Sequence, residues 1–173
     1  MNRNALYFVT GSSGSGKTTL LRRVVAEVYP TLHAFHVDDP GVKGNARAWV
    51  ERLASANGEL VVVEGQERPH IVLTTARELG VTAVNVVLIE CGHAERKRRL
   101  VEERKQPELD HLDMYAWAAY LRGQADALGL EVIDTTDHNV PESVAVLASS
   151  LQRFALTTGH VIPSSHSVIP RKD

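Results

Sequence analysis

The sequence predicts an α/β fold, a three-layer arrangement with a five-stranded parallel sheet between helices. Three observations carry that expectation. Short, wholly apolar runs such as Leu60-Val61-Val62-Val63 recur, as strands covered on both faces require. Segments with helical spacing separate them, the alternation that calls for right-handed parallel crossovers. A glycine-rich stretch, Gly11-Ser12-Ser13-Gly14-Ser15-Gly16-Lys17-Thr18, stands between the first strand and the first helix. It fits G-x-x-x-x-G-K-[ST], the phosphate-binding P-loop.

The elements follow in order. Residues 6–10 form a short run rich in strand formers. From Thr19 to Val28 the residues Leu20, Leu21, Val24, Val25 and Val28 share one helical face. Pro30 breaks that pattern, and residues 32–37 read as a second strand ending at Asp38 and Asp39, before the turn signal Pro40-Gly41. Asn45 caps an expected helix over 46–56, stopped by Asn57-Gly58. The third strand, 60–63, ends in Glu64-Gly65. Pro69 opens a helix to Leu79, closed by Gly80. Residues 83–89 form a fourth buried strand, 93–105 a very basic helix, and 108–128 a longer helix ending at Gly129. A fifth strand over 130–134 and a last helix from Pro141 to Leu156 complete a domain over 1–156. The tail, 157–173, has no strand or helix period, leaving disorder or docking on the globule as its two readings.

Composition sets bounds. A chain of 173 residues, 43% hydrophobic and 23% charged, suits one ordinary globular domain. A net charge of −2 gives no global field to recruit nucleic acid or an anionic membrane. The single cysteine, Cys91, forbids an internal disulfide framework and fits a reducing compartment. The first apolar run leads directly into the P-loop, so no signal segment is expected, and no window approaches a membrane span. A cytoplasmic monomer or homodimer is the resulting expectation.

The loop's chemistry can be read letter by letter. Glycines turn with φ > 0 and leave no Cβ in the path of an anion. The amides of Gly11 to Thr18 then form an anion nest at a helix N-terminus, which Thr19 continues. Lys17 would reach the β- and γ-phosphates, and the Thr18 hydroxyl would serve Mg²⁺. Parallel sheets bind ligands beyond their carboxyl ends, where Asp38, Asp39, Glu64 and Asp134 also lie. Glu64 is placed to hold Mg²⁺ through water, or else to cap the next helix. Asp38 or Asp39 is placed as a general base, or else simply forms the turn. In the basic helix, arginine forks would suit a transferring phosphoryl group, or else form a solvated face with Glu95–Arg99 pairing. Arg96 and Arg98 are expected on a solvated face. Arg68 could reach an acceptor from its helix start or lie on the surface. The Asp-Asp-Pro-Gly stretch matches D-x-x-G, but no N-K-x-D guanine motif accompanies it. The eight histidines form no zinc set.

With these residues in hand, the chain resembles the small P-loop kinases, the adenylate-kinase-like group that includes shikimate, gluconate and chloramphenicol kinases. GSSGSGKTT is the most specific part of the match. Val37-Asp38 looks like the strand-end Asp that serves such kinases as acceptor base. Glu64-Gly65-Gln66-Glu67-Arg68-Pro69 is similar to their D-G-x-P-R segment, with Glu for Asp and one extra residue. Arg99-Leu100 with Arg104 resembles the R-L-x-x-x-R of the lid, which implies that Arg99 and Arg104 clamp the phosphates and stabilise the transferring group, and Ile133-Asp134-Thr135-Thr136 looks like the element beside the adenine. The resemblance implies strand order 2-3-1-4-5, ATP as donor, Mg²⁺, nucleotide contacts at Thr135 and Thr136, and a lid that closes on binding.

The chain also departs from that pattern. Only about twenty residues separate Asp39 from Leu60, fewer than nucleotide kinases use for an acceptor, and the lid is short. An Asp poised as base argues for a hydroxyl acceptor, because a phosphate acceptor has no proton to lose at neutral pH. The expected function is therefore ATP-dependent phosphorylation of a small hydroxyl compound. The alternatives are a nucleotide or nucleoside kinase, with Arg68 on the acceptor phosphate, and an NTP-binding switch without an acceptor.

Overall fold

A computed structural model describes residues 4–38 and 59–164. Asp39 and the helix expected over 46–56 lie outside the described residues. Five strands form one parallel sheet: β1 (Ala5–Thr10), β2 (Ala34–His36), β3 (Leu60–Gly65), β4 (Ala83–Glu90) and β5 (Glu131–Asp134), in the order β2-β3-β1-β4-β5. This is the fold class and order expected. β1 is central and fully buried because it packs on both faces. Successive side chains of a strand point to opposite faces. Accordingly Tyr7 and Val9 join one core, with Leu20, Leu21, Val24, Leu147 and Leu151. Leu6 and Phe8 join the other, with Val72, Ala76 and Val86.

The first core is closed by α1 (Lys17–Arg23) and α5 (Val140–Thr158). The second face is closed by α2 (Pro69–Glu78) and α4 (Leu112–Leu128). Between β4 and α4 lies α3 (His93–Lys97), which begins the basic run that continues through Arg98, Arg99 and Arg104. Both α1 and α3 widen into π-helical turns, at Val24–Val28 and Arg98–Glu103, where a residue's N–H reaches back five positions. Tyr29 N–H thus donates to Val24 O, and Arg104 N–H to Arg99 O, each at 2.9 Å.

Several boundaries differ from those read in the sequence. β2 keeps only three residues, because it sits at the sheet edge and pairs with β3 alone. The long helix starts at Leu112 rather than 108; a 3₁₀ turn, Pro107–Leu109, intervenes. The last helix starts at Val140 and runs past 156 to Thr158. A reciprocal cap fixes its start: Glu142 N–H donates to Asn139 Oδ1 at 2.9 Å, and Asn139 N–H to Glu142 Oε2 at 3.0 Å. Beyond Gly159 the described start of the tail docks on the globule, with His160 and Ile162 buried. No helix among the described residues is long and apolar enough to cross a membrane.

Candidate active site

The site assembles at the carboxyl edge of β1, β2 and β3. The chain leaves β1 at Thr10 and makes a tight loop before α1 begins at Lys17. Gly14 and Gly16 adopt φ of 78° and 99°, the left-handed region that the motif's glycines exist to supply. Ser12 and Ser15 are buried, and the Ser15 hydroxyl has no hydrogen-bond partner. Ser13 accepts from Gln66 Nε2 at 3.0 Å, whereas Thr19 points to solvent.

Lys17 is only 8% exposed, yet among the described residues its ammonium makes neither a hydrogen bond nor an ion pair. Burial lowers its pKa from the usual lysine value; Glu64 and Asp38 work against that shift and Arg104 adds to it. A nearly buried lysine at the head of an amide nest, with acids nearby but no contact ion pair among the described residues, suits an anion.

Beside it, Thr18 Oγ1 donates to Glu64 Oε2 at 3.0 Å, so the two residues expected to serve magnesium are in contact. Glu64 ends β3 and is buried. Magnesium keeps much of its water and uses one or two protein oxygens plus phosphates. The Thr18–Glu64 pair fits that demand. No cluster of three or more His, Cys, Asp or Glu able to hold a metal occurs among the described residues.

Asp38 follows β2 and is largely exposed, with its side chain 66% accessible. Sequence reasoning missed its neighbour. His36 ends β2, in register with Glu64, and lies between the two acids: Asp38 N–H donates to His36 Nδ1 at 3.0 Å, and His36 Nε2 is 3.4 Å from Glu64 Oε1. Residues 36 and 38 have the two-residue spacing of one strand face, a signal the sequence did contain. Val37 continues the ladder, its N–H donating to Glu64 O at 3.0 Å. Its side chain lies against Gly65, where a Cβ would sit 2.4 Å from Val37 Cγ2. Thr18, His36, Asp38 and Glu64 line the head of a cleft of about 670 Å³, floored by Leu21, Val25 and Phe35.

The basic residues divide differently from the expectation. Arg99, expected on the transferring phosphoryl group, spends its guanidinium elsewhere. Nη1 donates to Gly14 O (3.3 Å), Ser15 O (3.2 Å) and Thr135 Oγ1 (2.9 Å), Nη2 to Thr135 O (2.7 Å), and Nε to Glu95 Oε1 (2.7 Å). These carbonyls are the backs of the amides that face the nest, so Arg99 braces the loop from beneath.

Thr135, expected at the nucleotide, is buried under the same loop, its hydroxyl within 2.9 Å of Ser15 O. Thr136 is likewise spent, accepting from Gly92 N–H at 2.7 Å and donating to Asp134 at 2.5 Å. Arg96, expected in solvent, is 5% exposed and packs below Gly14, donating to Cys91 O at 2.8 Å. It lies four residues before the fully buried Leu100, and that helical spacing placed both on one face. Arg98 is exposed as expected, paired with Glu95 and Glu103.

The Arg104 side chain is exposed and makes no hydrogen bond or ion pair among the described residues, but it lies near enough to act on Lys17. Arg68 caps α2 and lies over the Trp117 ring, 5.9 Å from its centroid; it does not line the cleft with Asp38.

No protein-family model and no curated protein matches the sequence. Solved structures match the fold at low identity. A shikimate kinase from Acinetobacter baumannii, in complex with shikimate, is 16% identical with a TM-score of 0.50, over 90% of this chain and 95% of that one. A gluconokinase from Sinorhizobium meliloti 1021 is 18% identical with a TM-score of 0.53, over 88% and 98%. A sugar kinase from Janibacter sp. HTCC2649 is 17% identical with a TM-score of 0.55, over 90% and 98%.

Proposed function

Taking as premise a fold shared with the small P-loop kinases, we propose that this protein is an ATP-dependent kinase of a small hydroxyl-bearing molecule. One observation carries the reading most: the unpartnered Lys17 ammonium stands beside Asp38 and Glu64, and both acids head an open cleft. Fold alone never names an activity, so the argument rests on those side chains.

Lys17 and the loop amides hold the β- and γ-phosphates. Thr18 and Glu64 would hold Mg²⁺, which when bound would supply charge neutralisation to the phosphates. Asp38 accepts the proton of the acceptor hydroxyl, which its exposure to the cleft permits. Arg104, with its guanidinium uncommitted, is the cation left to meet the transferring group. Arg99, Thr135 and Arg96 fix the loop that all of these work on. The nucleotide-kinase alternative loses support, because Arg68 packs on Trp117 and does not line the cleft. An acceptor-free switch has no use for an acid at the mouth of a cleft this large.

The test is a phosphorylation screen with labelled ATP over polyhydroxy compounds, hydroxy acids and nucleoside monophosphates, run with wild type and Asp38→Asn. A general base contributes roughly 10²- to 10⁴-fold, so the variant should lose about that much in kcat while binding an ATP analogue as before. Phosphorylation of nucleoside monophosphates alone, or undiminished turnover by Asp38→Asn, would reject the reading.

A further inference from the structure

We infer that His36 is a positioning residue that locks the spacing between the base Asp38 and the magnesium-side acid Glu64, an assignment that rests on the kinase reading above. The imidazole is bound at both ends. Asp38 N–H donates to Nδ1 at 3.0 Å, so Nδ1 carries no proton and the neutral ring bears it on Nε2. That N–H faces Glu64 Oε1 at 3.4 Å, while Thr18 donates to the other oxygen, Oε2, at 3.0 Å. Glu64 is therefore gripped from two sides, by an alcohol on α1 and by a ring on β2. Register places the ring there: His36 pairs with Glu64 across the β2–β3 ladder, and Asp38 follows on the same face.

The ring does two separable jobs. Its Nε2–H orients the Glu64 carboxylate, and groups that hold a ligand's partner in place typically contribute 10- to 100-fold to metal affinity. Its Nδ1 anchors the backbone of Asp38, whose carboxylate Oδ2 lies 3.5 Å from the same nitrogen in the cleft lining. An imidazole suits both jobs because it is rigid and about 2 Å wide between nitrogens, so one acid cannot shift without the other.

Two amide variants separate the jobs. Gln keeps an N–H near Nε2, and Asn keeps an acceptor near Nδ1. Binding of the non-hydrolysable β,γ-imido analogue of ATP is measured by calorimetry with and without magnesium chloride, alongside thermal melts. Magnesium's enhancement of binding should fall about tenfold in His36→Ala and His36→Asn, and return in His36→Gln. In the acceptor assay, His36→Asn should retain more kcat than His36→Gln.

A pure packing role predicts instead lower melting temperatures with the magnesium enhancement equal to wild type in all three variants, which would overturn the assignment. Equal losses in Ala, Asn and Gln would also overturn it. If wild type fails to bind the analogue, the kinase reading falls and takes this one with it. If wild type binds and the variants match it, only the role of His36 is lost.

Discussion

Lys17 shows what a largely buried cation costs. Its ammonium is nearly buried and unpaired among the described residues, and burial already drags its pKa down. A largely buried charge that neighbouring acids offset only in part costs the fold stability. Lys17→Met should therefore leave the ligand-free melting temperature unchanged or raise it, while abolishing the thermal shift on adding nucleotide. A marked fall in the ligand-free melting temperature would mean that the lysine serves the fold rather than a ligand.

At this scale the sequence revealed the anion nest and its acids but not the use made of the basic run. Arg96, Arg98 and Arg99 are nearly adjacent and chemically identical. One is buried under Gly14, one is solvated, and one braces the loop. Only packing distinguishes them. Of the three, Arg96 alone carried a clue, its spacing from Leu100.

At the scale of elements, α3 acts as a bracket clipped to the P-loop. Glu95 is the clip's inner joint, accepting from Arg98 at 2.7 and 2.8 Å and from Arg99 at 2.7 Å. The Arg98 bonds, then those of Arg99, overcome partial burial and draw its pKa from 4.5 to about 2. A carboxylate whose folded pKa lies below its unfolded one contributes stability above the unfolded value, and loses it as pH falls toward the folded value. That loss should fall between pH 4.5 and about 2. Glu95→Gln should therefore be less stable than wild type at pH 7, with the two denaturation midpoints converging on acidification. Parallel curves across that window would exclude Glu95 as the joint.

The sequence announced this element as one regular helix over 93–105. The π turn at Arg98–Glu103 was not legible, because a widened turn depends on what the helix packs against. β2 was overestimated for a related reason: apolar residues at a sheet edge read like those at its centre. The cap at Asn139 and Glu142 was legible as a four-residue pattern and went unused.

For the whole molecule, the apolar runs announced a buried parallel sheet, whereas its strand order was legible only through the resemblance to the small P-loop kinases. β1, β3 and β4 are the inner strands, with β2 and β5 at the edges, and the site straddles the β1–β3–β2 side. A ligand there touches α1, β2 and β3 together, so binding should stabilise the fold as a unit. At about 100 times its dissociation constant a ligand adds roughly 2.7 kcal/mol, or about 5–10 °C in melting temperature for a domain of this size. Scanning thermal denaturation against magnesium and ATP concentration checks this. A shift that saturates without magnesium dependence would remove Thr18 and Glu64 from the metal's shell.

The contact between Gly65 and Val37 has a genetic corollary. With a Cβ at 65 only 2.4 Å from one Val37 methyl and 2.5 Å from the other, alanine there evicts the valine and drags both flanking residues of the second strand's end with it. Such crowding typically costs about 1–3 kcal/mol. Gly65→Ala should be rescued by Val37→Ala beyond the sum of the two single changes, a coupling that a double-mutant cycle measures. Bulk at positions 37 and 65 is therefore a shared quantity, so that a methyl gained at one is tolerated only where volume is given up at the other.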